Sequence, residues 1–593
     1  MLPPDSRTTL LAQLVPPPGS TLEHLVATTF TLDLESALLP SLALAGSANV
    51  EAADRVETVA AIRASANRID IFHQAGQVAV PRDRSPLFSL LEKSVHGIAH
   101  PRGLFHPKLW LGLYNTESGE QFVRLIVMSR NLTKDRSWDV ALTLDGWITT
   151  ALSASNRPLV DLLRYLPAAA VSSPDQPRVE RINTLTEAIR YAEWELPPGV
   201  SDLNFHIYGL VGKPQPKPDF SGYRHLLVSP FLQDEGLEHL SSEARGPLTV
   251  VSRQESLNSL TEEWAEWVSD AYVLSPTAGI PADTEENPAS STLFTGLHAK
   301  LYVIERARMA HLFIGSANAT SAAFNVNVEI LVELTGQVKT YGAGALLDSN
   351  GGFGSILEAA EIVPDTSTED DPRLALDSVV RSLAAVPLTA QMTLTDEDTA
   401  SLCVTSNDAL SYPGSEVVVR VSLLTDPSTA SELAMGSKVD VEFVDLCLND
   451  VTAFMVLSAE DSSGRISATV VKADLLGDVP RRLNEIVTNE ITNPDQFRRL
   501  LALLLAFGTP FDEKPSPKNG SGSAGGWNHV DQGMFEQMLK ASVAEPEVLG
   551  HLSGVVASII DRGDPHQVLP EGFEHLWKAI VEATELEGVV SGE

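Results

Sequence analysis

Two short cassettes recur 192 residues apart, His106-Pro107-Lys108 followed by Ser129-Arg130-Asn131, and His298-Ala299-Lys300 followed by Gly315-Ser316-Ala317-Asn318. A carboxylate comes soon after each, Asp139 in Trp138-Asp139-Val140 and Glu329 in Val328-Glu329-Ile330. An imidazole can attack, accept a proton or give one near neutral pH. An ammonium with an amide beside it can hold anionic oxygens. Doubled, this set suits displacement at a negatively charged centre, with one ring as nucleophile and the other as proton donor.

The elements around the cassettes decide whether these groups can meet. Each H-x-K opens a run with apolar or aromatic residues, Leu109-Trp110-Leu111 and Leu301-Tyr302-Val303-Ile304, which reads as a strand. A second apolar run follows, Leu125-Ile126-Val127-Met128 and Leu312-Phe313-Ile314, with the S-x-N at its end. Residues two apart on a strand share a face, so each cassette sets an imidazole beside an ammonium. A hydroxyl and an amide then arrive from the end of a neighbouring strand.

The doubled pattern resembles the phospholipase D superfamily, whose signature is H-x-K-(x)4-D-(x)6-G-S-x-N, one copy from each half of the molecule or from each subunit of a dimer. The resemblance covers roughly residues 20 to 340. Glu305 stands where the pattern has Asp after Lys300, Leu113 stands at that place after Lys108, and the gap to Gly315 is longer than usual. These departures, with Ser129-Arg130-Asn131-Leu132-Thr133 and the nearby Trp138, look more like the tyrosyl-DNA phosphodiesterase and nuclease branches than the lipases.

That resemblance implies phosphodiester hydrolysis without a metal or other cofactor. Lys108, Lys300, Asn131 and Asn318 would hold the non-bridging oxygens, with Ser129 and Ser316 as added donors and Arg130 as a further substrate contact. One neutral His would form a covalent phosphohistidine while the other protonates the leaving oxygen and later activates water. The residues alone leave the two roles open. The resemblance implies His106 as nucleophile and His298 as acid and base, with Glu329, at the family's spacing after Asn318, or Asp139 orienting a ring. Two rings in opposite protonation states predict a bell-shaped pH profile.

At 593 residues and 43% apolar content the chain is a globular protein of several domains. Its start, Met1-Leu2-Pro3-Pro4-Asp5, shows no secretory pattern, and its longest apolar stretch, Leu500 to Phe507, is too short for a bilayer. Cys403 and Cys447 are too far apart for a metal spacing, and a cytoplasmic location is the expectation. The net charge of −36 runs against a general basic grip on nucleic acid. It is unevenly spread: residues 341–593 hold 40 acidic and 15 basic side chains, a net of −25, against −11 for the first 340. Arg124, Arg130, Lys134 and Arg136 cluster in sequence around the first S-x-N.

Along the chain, residues 1–20 read as a Pro-rich arm. Strands interleaved with helices then predict an α/β fold of two halves, 21–200 and 201–362, related by a pseudo-twofold with both cassettes at the seam. The expected helices include Ser36 to Leu44 and Leu257 to Ala271. Val363 to Pro372 reads as a boundary. Alternating segments then predict a β-rich domain over 373–480, and 481–593 a helical C-terminal region with a flexible linker at 511–527.

The expected function is therefore a nuclease-like phosphodiesterase acting on nucleic acid, DNA foremost. A helicase or another subunit of a bacterial anti-phage or restriction system would present the strand, and no membrane would be involved. Two rivals stand beside it: a phospholipid or small phosphodiester hydrolase, and a non-catalytic scaffold that only binds nucleic acid. An acidic surface disfavours the lipid reading at anionic membranes.

Overall fold

The computed structural model describes residues 10–44, 55–135, 137–213, 217–276, 278, 296–350, 352–365, 372–396, 398–412, 417–506, 538, 546–562, 565–570 and 572–584. The fold is mixed α/β, as expected. Its first sheet comprises β1 (Ser20–Thr29), β2 (Ile69–Gln74), β3 (Val95–Ile98), β4 (Leu109–Thr116), β5 (Gln121–Met128), β6 (Ala141–Ile148) and β7 (Ala192–Trp194). Their spatial order is β3-β2-β1-β4-β5-β6-β7. The second sheet comprises β8 (Val200–Tyr208), β9 (Arg224–Val228), β10 (Leu248–Ser252), β11 (Asp270–Leu274), β12 (Leu301–Arg306), β13 (Met309–Gly315), β14 (Glu329–Gln337) and β15 (Leu357–Ala359). Read from its β15 edge inward, the order is β15-β11-β10-β9-β12-β13-β14-β8.

Apart from β15, the two sheets match strand for strand. β1 pairs in parallel with β2 and antiparallel with β4, the strand that follows the first H-x-K, as β9 pairs with β10 and with β12. Each sheet then adds two antiparallel neighbours. Both faces of these strands are covered, which is why they read as dense apolar runs. Along β4, Leu109, Leu111 and Leu113 enter a core shared by the two sheets, while Trp110 and Tyr114 turn to the opposite side. The shared core draws on both halves, from Val26 and Phe105 to Val303 and Val328.

Residues 388–476 build two four-stranded sheets, one with Leu388–Leu394 and Thr399–Ala409 at its centre, the other with Val417–Leu423 and Phe454–Asp461. They are tied to the first half by a buried polar junction. Glu92 accepts from Thr452 Oγ1 and Ala453 N (both 2.8 Å) and from Arg482 Nη2 (2.6 Å), while Arg482 Nη1 also reaches Val451 O (2.9 Å). The helix Pro546–Asp561 lays Leu549, Leu552, Val555, Val556 and Ile559 into the same core as Leu14, Ile62 and Trp110. Its apolar periodicity is thus explained by packing within the chain, chiefly against the helix Pro480–Asn489.

Two expectations change, and a third is not tested. The arm over 1–20 does not extend through its second half: Leu10–Leu14 is a helical turn with Leu14 buried, and Ser20 already starts β1; residues 1–9 lie outside the described residues. Leu257 to Ala271 is not one helix. Two short helices, Gln254–Asn258 and Glu262–Trp267, are followed by β11, because Ala271, Tyr272 and Val273 find parallel partners on β10 that outweigh helical periodicity. The linker at 511–527 lies outside the described residues. Among those described, no helix is long and apolar enough to cross a membrane.

Candidate active site

Each H-x-K stands just ahead of a central strand, and its backbone is stitched to the opposite half. His106 N donates to Val328 O (3.0 Å) and Val328 N to Leu104 O (2.9 Å). In the mirror arrangement His298 N donates to Trp138 O (2.8 Å) and Trp138 N to Gly296 O (2.8 Å). These two parallel bridges, Phe105 with Val328 and Trp138 with Leu297, carry the pseudo-twofold through the seam. They bring Glu329 next to His106, and they set Asp139 at the equivalent place beside the second cassette.

The S-x-N loops are pinned in the same way. Leu132 N, one residue past Asn131, donates to Thr29 Oγ1 (3.0 Å), whose hydroxyl donates to Thr31 O (2.8 Å). Ala319 N, one residue past Asn318, donates to Ser229 Oγ (3.1 Å), whose hydroxyl donates to Phe231 O (2.7 Å). The Oδ1 atoms of both Asn131 and Asn318 are buried without a partner among the described residues. A buried unpaired amide oxygen costs about 1–3 kcal/mol; these acceptor oxygens cannot bind an anion, so it is the Nδ2 groups of Asn131 and Asn318 that could donate to one.

The side chains then depart from symmetry. His106 Nδ1 bonds Glu329 Oε2 at 2.8 Å, and its Nε2 meets Lys108 Nζ at 2.8 Å. Glu329 is fully buried and also accepts from Ser316 Oγ and, on its other oxygen, from Asn327 Nδ2 (3.3 Å). With a carboxylate on Nδ1, the ring carries its proton there and presents the lone pair of Nε2 to Lys108 Nζ. Among the described residues His298 has no such carboxylate bond; its Nδ1 lies 3.4 Å from Lys300 Nζ. Asp139, one methylene shorter than Glu329, accepts instead from Ser129 Oγ, Arg130 N (3.1 Å) and Val140 N (2.8 Å).

Both lysines are fully buried and each donates to the carbonyl of its own histidine, Lys108 at 3.0 Å and Lys300 at 2.9 Å. Burial drives Lys108 well below its ordinary range, and brings Lys300 down to about 7 against the attraction of Asp139 and Glu329. Burial likewise pushes the Asp139 carboxyl up to about 6. The His106 imidazole falls to about 4 through burial, opposed by Glu329, and His298 to about 2 through burial with Lys300 and Lys108 beside it. Both rings are thus shifted toward the neutral form, where one neutral and one charged ring was the expectation; a nearby anion would shift them back.

Several neighbours were not legible as site residues. Phe30 packs its ring 5.0 Å from that of His106 and 5.8 Å from Lys108 Nζ. Asn327 spans the seam, accepting from Leu104 N (3.0 Å) while donating to Glu329. Arg253 Nε donates to Leu297 O (2.9 Å), one residue before His298. The strand-end hydroxyls Thr29 and Ser229 offered the only sequence signal, since Thr29 closes β1 and Ser229 directly follows β9.

The expected basic cluster does not form a free positive patch. Arg124 pairs with Asp145 (2.7 and 2.8 Å), Lys134 pairs with Glu35, and the Arg130 guanidinium bonds the carbonyls of Thr133 (2.9 Å) and Asp135. Arg136 lies outside the described residues. Glu305, at the place of the family's Asp, accepts from Ala343 N (2.9 Å) and serves a helix start.

No family model matches the sequence, and no curated protein does. Among solved structures the chain is similar to yeast tyrosyl-DNA phosphodiesterase, at 15% identity over 53% of this chain and 82% of that one, with a TM-score of 0.32. It is also similar to the polyphosphate kinase of Porphyromonas gingivalis, at 14% identity over 55% of this chain and 42% of that one, with a TM-score of 0.29. Likeness at this level carries no argument about chemistry; the paired cassettes do.

Proposed function

We propose that this chain is a phosphodiesterase of the phospholipase D superfamily that hydrolyses nucleic acid through a phosphohistidine. One observation carries the reading: a carboxylate from the second half bonds Nδ1 of a histidine from the first, where both cassette lysines are buried and the charge of each reaches the other half's histidine.

In the first step the Nε2 lone pair of His106 forms a bond to phosphorus, and the bond from phosphorus to the leaving oxygen breaks. Lys108, Lys300, Asn131 and Asn318 meet the charge that builds on the non-bridging oxygens. His298 gives the leaving oxygen its proton. The incoming phosphodiester supplies the negative charge that lets His298 hold that proton, offsetting the adjacent lysines. In the second step His298 takes a proton from water as its oxygen attacks phosphorus. The P–N bond then breaks and the electron pair returns to His106. Positive charge comes from lysines, so turnover is expected to persist in EDTA.

The test is chemical trapping. A single-stranded oligonucleotide labelled at its scissile phosphate, quenched during turnover, should leave label on His106, acid-labile and base-stable, and His106→Ala should lose it. A labelled His298 with an unlabelled His106 would reverse the roles. No labelled protein during measurable turnover would remove the covalent route. The helical region packed on the first half is the part through which a helicase or other defence-system subunit would present DNA.

A further inference from the structure

The pseudo-twofold makes the second half a control for the first, and at one pair of positions the two halves disagree in a way that points to a ligand. Thr29 and Ser229 are equivalent hydroxyls at strand ends, and in the adjacent parallel strand Thr28 lies beside Phe72 as Val228 lies beside Val251. Two residues further on stand Gln74 and Arg253. Each bonds the residue that precedes a cassette histidine: Gln74 Oε1 accepts from Phe105 N (2.7 Å), and Arg253 Nε donates to Leu297 O (2.9 Å). Gln74 is buried, and its Nε2 is used up on Ala75 O (3.0 Å). Arg253 performs the same tether with one nitrogen, and its Nη1 and Nη2 have no hydrogen-bond partner among the described residues.

The freed end of Arg253 is not adrift. Its guanidinium carbon sits 5.1 Å over the ring of Phe231, a cation–π contact. Phe231 is 46% exposed, unusual for a phenyl ring whose backbone is fixed by a hydrogen bond from Ser229. The position equivalent to Phe231 in the first half is Thr31; the ring on that bank, Phe30, packs instead on His106 and Lys108, with no guanidinium over it. Arg253 also bears on the chemistry, as its charge reaches both His298 and Lys300.

We propose that Arg253 and Phe231 form a subsite for the nucleotide that flanks the scissile phosphodiester on the His298 side, the guanidinium taking its phosphate and the phenyl ring its base. This deepens the phosphodiesterase reading and rests on it for the position of the scissile phosphate. A planar fork with two free nitrogens matches two phosphate oxygens. An exposed ring beside it accepts any base by stacking, without sequence preference. With a net charge of −36 the chain offers no diffuse grip on a polyanion, so one aimed cation next to the reacting centre carries unusual weight. The ligand class is a single-stranded polynucleotide that continues past the cleaved bond on that side. A duplex keeps its bases stacked on each other and leaves none for the ring.

The experiment measures binding and turnover separately on the full chain. A fluorescent single-stranded oligothymidylate reports equilibrium binding by anisotropy, and bis(p-nitrophenyl) phosphate, which has no flanking nucleotide, reports turnover. Arg253→Gln installs the residue of the dyad-related position, and Phe231→Ala removes the exposed ring. We expect Arg253→Gln to weaken oligonucleotide binding at least tenfold and to lower the slope of log Kd against log salt by about one. Phe231→Ala should weaken binding about tenfold, within the range for a lost stack. For both variants the ratio of kcat/KM on oligonucleotide to that on the small diester should fall at least tenfold. Binding within twofold of the parent in both variants overturns the subsite and leaves the phosphodiesterase reading intact. A parent inert on both substrates, with binding still lost in the variants, overturns that reading and leaves a strand-binding site. Arg253→Lys separates fork from charge: full rescue would overturn the bidentate contact.

Discussion

Asp139 and Glu329 occupy equivalent positions in the two halves, but only Glu329 touches an imidazole, 2.8 Å from His106 Nδ1, while Asp139 is held by Ser129 and two backbone amides. One methylene separates them, and it divides the two histidines into a ring with a fixed tautomer and a ring without one. Glu329→Gln should therefore cut kcat on a nitrophenyl diester by about 10²–10⁴, the scale seen when a carboxylate that orients a catalytic histidine becomes an amide. Asp139→Asn should cost at least tenfold less. Equal losses would show that the asymmetry has no catalytic meaning.

Anion binding should take up protons. Burial lowers His106 to about 4, His298 to about 2 and Lys300 to about 7. A bound anion stabilises the charged forms, so protons enter with it and affinity must fall as pH rises through 7. Sulfate keeps a fixed charge in this range. Calorimetry in buffers of different ionisation enthalpy should give proton uptake at pH 7, with Kd rising by up to about tenfold per pH unit for each proton taken up. Proton release would contradict the geometry.

Mild acid should destabilise the first half away from the catalytic seam. Under β1, β2 and β3, Asp70 is buried against His24 (3.2 Å), His96 (2.7 Å) and Arg178 (2.8 Å), and Lys472 Nζ lies 3.4 Å from His96 Nδ1. Burial brings His73 and His96 down from 6.5 to about 4. Between those values the unfolded chain binds protons that the native chain refuses, so stability falls as pH falls, by about 1.4 kcal/mol per pH unit per histidine. Asp70, held low chiefly by its hydrogen bonds to His24 and His96 against the cost of burial, adds a further loss only below the ordinary carboxylate range. Thermal unfolding from pH 7 to 5 should show the decline, and His73→Asn should make it shallower. A flat profile would argue that these rings open to solvent.

The junction at Glu92 should behave as a single unit. Glu92→Ala leaves Arg482, 1% exposed, with only Asp478 and a carbonyl, and should cost about 3–5 kcal/mol. Replacing both partners, Glu92→Leu with Arg482→Met, should recover most of that loss, because no buried charge is stranded. The urea midpoint of the first unfolding transition measures both. A double variant as weak as the single one would mean that packing, not charge, holds the junction.

The cassettes were readable because their chemistry is local: H-x-K ahead of a strand and S-x-N at the end of the next can be recognised within some 25 residues. The strands were readable for the same reason, since burial on both faces turns them into apolar runs. Asn327 and Arg253 were not, because their roles exist only through contacts with Leu104 and Leu297, 223 and 44 residues away. Spacing after Asn318 favoured Glu329 over Asp139, but it could not show that only the longer side chain reaches a ring. Leu257 to Ala271 misled because a helical period in an isolated segment says nothing of the open strand edge on β10 that Tyr272 and Val273 fill.

Joining both halves in one polypeptide has a further outcome. In an assembly of two identical subunits, any substitution on one bank of the cleft appears on the other, and improving one contact risks spoiling its twin. Here a neutral amide at Gln74 and a cation at Arg253 occupy matching places without conflict. Covalent fusion frees the two banks to diverge, so entry and exit of a directional polymer can be served by different residues.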